Sequence, residues 1–187
     1  MKKISITVSG LSGSGKTYVA SFIAKKLKLK HYSAGKLFRE FAKNSGKSLE
    51  NFCKTREKEI DLMIEKTTEK ILKKGNVVID GRLTGFVATE LIKKRKINCF
   101  RIYVDCPIEI RAKRVAKRDN IKYEEALKKI KERDKSDLKK YKKIYRIDPS
   151  SKKFYDVIID NSKNIKSLNS KLEKMVYVFK AFMKGSI

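Results

Sequence analysis

Two rhythms alternate along the chain. Short β-branched runs, Ile4-Ser5-Ile6-Thr7-Val8-Ser9, Asn76-Val77-Val78-Ile79-Asp80, Cys99-Phe100-Arg101-Ile102-Tyr103-Val104 and Phe154-Tyr155-Asp156-Val157-Ile158-Ile159-Asp160, have the length and composition of buried strands. Between them apolar residues recur every three or four positions, which predicts helices over Tyr18 to Leu29, Lys36 to Lys43, Ser48 to Lys74, Leu83 to Ile92, Ile108 to Arg118 and Asn164 to Lys184. The short, partly polar Lys30-His31-Tyr32-Ser33-Ala34 reads as a further strand, with Gly35 allowing the turn that follows. Ser48 is the predicted N-cap of its helix, Gly46 and Gly75 close helices, the Leu83 helix is expected to break near Gly85, and Pro107 suits the start of the next. Five strands alternating with helices predict an α/β fold: a three-layer sandwich around a five-stranded parallel sheet, with the site at the strands' carboxyl ends.

One stretch does not fit either rhythm. Asn120 to Tyr145 is almost all charged or polar, with a thin stripe of Tyr123, Ala126, Leu127, Ile130, Leu138, Tyr141 and Tyr145. A helix that buries so little is the part expected to move.

Gly10-Leu11-Ser12-Gly13-Ser14-Gly15-Lys16-Thr17 fits G-x-x-x-x-G-K-[ST], and it stands between a strand and a helix, the setting that gives the pattern meaning. Its glycines let the backbone fold into an anion cradle at a helix N-terminus, whose dipole adds to the attraction. Lys16 can reach the β- and γ-phosphates of a nucleotide, and the Thr17 hydroxyl is placed to bind the Mg²⁺ that bridges them.

Composition narrows the field. The 187 residues suit one domain with a full core, and the two prolines, Pro107 and Pro149, give little punctuation for a second. No apolar run approaches the roughly 20 residues of a membrane span, and the apolar stretch after Met1-Lys2-Lys3 is too short for a signal peptide. A cytoplasmic protein is expected. Cys53, Cys99 and Cys106 show no C-x-x-C spacing, so neither a disulfide framework nor a zinc site is suggested, and His31, the only histidine, cannot support a His-based triad. The formal charge of +27 attracts anions, but lysine is spread along nearly every helix, the pattern of a solvated face.

A phosphate loop alone does not separate kinases from switches, motors or hydrolases. A small-molecule kinase must hold an anionic acceptor opposite the γ-phosphate, neutralise the transferring group from several sides and exclude water, which calls for arginines around the cleft and a closing lid. Arg39 and Arg82 fall just past strand ends. Arg114 and Arg118 share one helix face and lead into the polar stretch, where Arg133 and Asp137 repeat the four-residue spacing.

At this point the chain resembles archaeal-type cytidylate kinases, on the phosphate loop together with Ser33-Ala34-Gly35-Lys36-Leu37-Phe38-Arg39-Glu40, Asp80-Gly81-Arg82-Leu83-Thr84-Gly85, Arg114-Val115-Ala116-Lys117-Arg118-Asp119, and the run from Arg133-Asp134-Lys135-Ser136-Asp137 through Asp148. The resemblance covers about Lys3 to Ser162. It implies a nucleoside monophosphate kinase with MgATP as donor and CMP or dCMP as acceptor, with residues about 34–74 holding the acceptor and about 119–147 forming the lid. It further implies Ser33 and Arg39 on the acceptor nucleotide, Arg82 joining Arg39 at its phosphate, and Asp61 beside the acceptor base or ribose. Arg118, Arg133 and Asp137 would come in with the lid, and Arg114 would lie along the donor adenine. Two features depart from the pattern: Lys140 stands where arginine is expected before Tyr141, and Glu65 and Thr67 stand where the helix around Asp61 would carry Asp-x-Arg. Asp80 has two open roles, binding Mg²⁺ through water or orienting Arg82.

The nearest rival keeps the chemistry and changes the acceptor to AMP or UMP. A nucleic-acid-associated ATPase ranks well below, because the chain has no RNA-binding signature and no aromatic stacking platform. A monomer is expected.

Overall fold

The computed structural model describes residues 3–46, 51–52 and 58–185. Five strands, β1 (Ser5–Ser9), β2 (Lys30–Ser33), β3 (Val77–Asp80), β4 (Cys99–Asp105) and β5 (Val157–Asp160), form one parallel sheet in the order β2-β3-β1-β4-β5. Seven helices accompany them among the described residues: α1 (Lys16–Leu27), α2 (Ala34–Asn44), α3 (Lys58–Lys74), α4 (Thr84–Lys93), α5 (Ile108–Asp119), α6 (Tyr123–Tyr145) and α7 (Ile165–Lys184). Parallel strands need crossovers, and the helices that supply them cover both faces.

On one face α1 and α7 bury Val19, Ile23, Leu27, Leu172, Val176 and Phe179 against Ile6, Val8, Ile102 and Val104 of the sheet. On the other, Leu72 of α3 and Val87, Ala88 and Leu91 of α4 pack on Val77 and Ile79. Each fully buried aliphatic side chain contributes about 1.5–3 kcal/mol, so these two layers, not the charged helices, hold the sheet. Two satellite clusters lie outside them: Phe38, Ala42 and Phe52, and a seam of Ala112, Val115, Ala126 and Ile130 that joins α5 to α6.

Several boundaries differ from the sequence reading. Helix α1 begins at Lys16 because Gly15, at φ 91°, is its N-cap. Helix α2 begins at Ala34, capped by Ser33, whose hydroxyl accepts from the Lys36 amide at 3.3 Å; Gly35 therefore lies in the first turn and not in a loop. Gly85 does not break α4. It is buried there, and a Cβ on it would run into the Tyr155 ring and come within 3.1 Å of Ser9 Oγ, so the glycine permits close packing of α4 on the sheet. Helix α5 starts at Ile108 as predicted, with Pro107 as its N-cap, and runs one residue further, to Asp119. The last strand starts at Val157, three residues late, because Lys152–Phe154 turn as a 3₁₀ segment that seats Phe154 edge-on to Phe86. The helix end predicted at Gly75 is found there (φ 71°), and Asn164, read as the first residue of the closing helix, is its N-cap, accepting from Ser167 N at 2.9 Å. Ser48 and Cys53 lie outside the described residues.

Candidate active site

Because β1 runs between β3 and β4, the loop leaving it opens at the carboxyl edge of the sheet, where open α/β sheets bind ligands. Gly10, Leu11, Ser12, Gly13, Ser14 and Gly15 wrap over the start of α1. Gly13 has φ 78°, and a Cβ on it would approach the Arg111 carbonyl oxygen to 2.7 Å, so only glycine lets the loop lie against α5. The loop's carbonyls are held from outside: Ser12 O accepts from Arg111 at 3.2 Å, and Ser14 O from Asn161 Nδ2 at 2.8 Å and Arg114 at 3.3 Å. A loop anchored by its carbonyls offers its N–H groups to an anion.

Lys16 donates to Leu11 O at 3.1 Å and stands among cations. Its pKa is pushed from 10.5 down to about 7, first by burial, then by repulsion from Arg82, with Arg133 and Arg39 adding and Asp80 opposing. Desolvation and like charge both disfavour an ammonium ion. Next to it the Thr17 hydroxyl donates to Asp80 Oδ2 at 3.0 Å. Asp80 is fully buried at the end of β3, in register with Val8 and Ser33 of its neighbours, and it also receives Ser33 Oγ at 3.3 Å and pairs with His31 Nε2 at 2.7 Å. Of the two roles left open for Asp80, contact with Arg82 is not the one observed. Instead it forms an oxygen pair with Thr17, the donor set a hard cation takes. Among the described residues no group of three acidic, His or Cys side chains could cage a metal, so Mg²⁺ would rest on these two oxygens and on substrate phosphates.

Across the cleft, the described part of the chain brings α6 down over the sheet edge. Arg82, mostly buried after β3, binds Asp137 Oδ2 at 2.7 Å and Asp134 Oδ1 at 3.1 Å. Asp134 reaches Arg111 at 2.7 Å with its other oxygen, and Arg133 stands 3.9 Å from Asp137 with its guanidinium over the Phe38 ring. Behind these arginines a cavity of about 70 Å³ runs between α2, α3, α4 and α6, its far end lined by Phe38, Asp61, Ile64, Glu65, Thr68 and Tyr141. Lys140, the departure from arginine, pairs with Asp61 at 3.7 Å. Glu65 has its pKa raised to about 7, by burial first and by the Asp61 charge, with the Tyr145 hydroxyl opposing.

Thus Lys16, Thr17, Ser33, Arg82, Arg133 and Asp137 meet around one cleft, with Arg39 at its rim, its guanidinium folded back toward Gly35. Asp61 lines the cavity beyond them. Arg118 clasps Asp119 at 2.7 and 2.8 Å, and the Arg39 charge reaches that carboxylate. Arg114 lies at the loop's edge, bound to Ser14 O, Cys106 Sγ and Asn161. Sequence reasoning gave no role to Arg111, Asp134, Asn161, Glu65 or the His31 contact. The signal for Asn161 was available, since it directly follows β5 at the carboxyl edge where Asp80 was noticed.

A family described as AAA domain matches residues 9–131. The cytidylate kinase of Methanopyrus kandleri is 43% identical over 163 residues, 84% of each chain. That of Methanocaldococcus jannaschii is 44% identical over 160 residues, 84% of this chain and 88% of its own. Among solved structures, a gluconokinase from Sinorhizobium meliloti superimposes with TM-score 0.63 at 15% identity, covering 97% of this chain and 96% of that one. A shikimate kinase from Bacteroides thetaiotaomicron does so with TM-score 0.62 at 14% identity, covering 96% and 99%. These structural likenesses speak for the fold alone.

Proposed function

We propose, starting from the fact that the chain belongs to the cytidylate kinase family, that it transfers the γ-phosphoryl group of MgATP to CMP or dCMP, giving CDP or dCDP and ADP. The observation that carries the reading is the gathering of Lys16, Arg82, Arg133 and Arg39 in one cleft, where burial first and then the guanidinium charges disfavour the lysine's own charge. Such a cluster is unfavourable until phosphates arrive, and a cleft flanked by cations from both sides suits two phosphate-bearing molecules held end to end.

In this reading the loop from Gly10 to Thr17 holds the donor triphosphate, Lys16 follows the γ-phosphate as charge moves onto it, and Arg114 borders the adenine. Arg39 and Arg82 hold the acceptor phosphate in line, Ser33 and Asp61 contact the acceptor nucleoside, and Arg133 and Asp137 arrive with α6, which excludes water. Arg118 would join only if α6 closes further. Thr17 and Asp80 would hold Mg²⁺, which neutralises phosphate charge when bound. An acceptor phosphate oxygen is already a competent nucleophile, so the site needs no strong base and forms no covalent intermediate. The same reading makes residues 1–187 one catalytic unit, monomeric and cytoplasmic, meeting nucleic acid only through non-specific charge; among the described residues no helix is long and apolar enough to cross a membrane.

The test is ADP release with CMP, dCMP, UMP and AMP offered separately. CMP and dCMP are expected to be turned over, and Lys16→Ala to lower kcat on the order of 10²–10³, about 3–4 kcal/mol of transition-state charge stabilisation. A protein that phosphorylates no monophosphate, or a Lys16→Ala variant with full turnover, would end the proposal.

A further inference from the structure

The far end of the cavity carries more than shape. With the acceptor phosphate on Arg39 and Arg82, the cavity beside Arg82 offers its nucleoside a wall of Phe38 and Tyr141 and two acids on one face of α3, Asp61 and Glu65. The two threonine hydroxyls of this stretch of α3 are spent on the helix: Thr67 donates to Met63 O and Thr68 to Ile64 O, both at 2.8 Å. Asp61 is paired with Lys140. Glu65 Oε1 is buried without a hydrogen bond of good geometry, the Tyr145 hydroxyl lying beside the carboxyl.

We propose that Glu65 determines acceptor specificity, reading the edge of an amino-pyrimidine as a carboxylic acid while Asp61 accepts the amine's second hydrogen. The proposal rests on the kinase reading and deepens it. An amino-pyrimidine edge presents a ring nitrogen acceptor beside an –NH₂ donor. A carboxylic acid matches both, giving its O–H to the ring nitrogen and accepting one N–H, whereas a carboxylate only accepts. Uracil puts a carbonyl oxygen in the amine's place, and there it would face the Asp61 carboxylate. A site built to bond one edge rejects a mismatched one because its own buried groups are left unpaired.

The surroundings favour the neutral acid. Burial and the neighbouring Asp61 charge hold the Glu65 proton to about pH 7 against the Tyr145 hydroxyl. The charged and titratable groups facing it are Asp61 from α3, Arg133, Asp137, Lys140, Tyr141 and Tyr145 from α6, and Arg82 from the β3–α4 loop.

The experiment compares wild type, Glu65→Gln and Glu65→Ala with CMP and UMP as acceptors at saturating ATP, from about pH 5.5 to about pH 8.5. The titration of CMP's own phosphate is common to all three proteins, so the comparison between them isolates Glu65. In the wild type, kcat/KM for CMP is expected to fall at least about tenfold as pH rises beyond the turn. Glu65→Ala should raise KM for CMP roughly 10–100-fold and erode the preference over UMP, with KM for ATP unmoved. Glu65→Gln, whose amide offers a donor and an acceptor at every pH, should recover most of that loss with a flattened profile. Parallel pH profiles in wild type and Glu65→Gln, or an undiminished CMP preference in Glu65→Ala, would overturn the proposal. A wild type inactive on every monophosphate would overturn the kinase reading along with it.

Discussion

Lys16 shows how a motif residue can be legible in role and hidden in state. The spacing of the loop assigns it to phosphate, but only its neighbours show that the free enzyme disfavours its charge: burial first, then Arg82, Arg133 and Arg39, with Asp80 alone pulling the other way. In the unfolded chain the lysine titrates near its usual 10.5 and in the fold near 7. Between those values the unfolded state binds a proton the folded state lacks, so the penalty is full below about pH 7 and is relieved as pH rises through this window. Bound triphosphate reverses the preference by bringing opposite charge to the ammonium ion. Above pH 7, ATP binding should therefore take up close to one proton, and ATP affinity should weaken with rising pH. Calorimetric titration at about pH 8 in two buffers of different ionisation enthalpy measures the uptake. Its absence in the wild type, or its persistence in Lys16→Ala, would contradict the account.

At the scale of elements, α6 is the part whose behaviour the sequence half revealed. Its thin apolar stripe predicted weak attachment, whereas Ala126 and Ile130 are buried against Ala112 and Val115 of α5 with Tyr123 and Leu127 packed alongside. What also holds it was not legible: Asp134 lies in a run of charges that reads as a solvated face, and Arg111 looks like any other basic residue on a helix. Folding buries Arg111, bonded to the phosphate loop at Ser12 O and to α6 at Asp134. Gly85 misled for the converse reason, since a glycine admitted for close packing against Tyr155 has the same letter as one that breaks a helix. The strands, by contrast, were legible because β-branched runs between turn residues have few other places to go. Asp134→Ala should leave Arg111 with its charge poorly compensated and uncouple α6 from the loop. A loss of roughly 3 kcal/mol, or about 6–12 °C in Tm for a chain of this size, is expected. The same variant should release ADP from ATP faster when no acceptor is present, as water enters. Thermal melts and acceptor-free turnover check the two effects, and a variant with wild-type Tm would show that the pair does not hold α6 in place.

For the whole molecule the dominant fact is a charge of +27 on 187 residues. The sheet, α1 and α7 supply apolar burial that does not depend on salt at moderate ionic strength, while lysines on every helix repel one another across the surface. The cleft concentrates the same sign, so long-range attraction gathers anionic nucleotides toward a site whose local contacts then select them. These two consequences respond oppositely to screening. Raising ionic strength from about 0.01 M to about 0.1 M shortens the Debye length from roughly 30 Å to roughly 10 Å. That change should raise Tm by relieving self-repulsion and at the same time lower kcat/KM for the acceptor by weakening its capture. Neutral salt such as potassium chloride, followed by melts and initial rates in parallel, tests both together. If added salt lowered Tm across this range, ion pairs such as Arg82–Asp137 and Lys26–Glu173 would outweigh the net repulsion, and the fold would owe more to its charge pattern than to its two apolar layers.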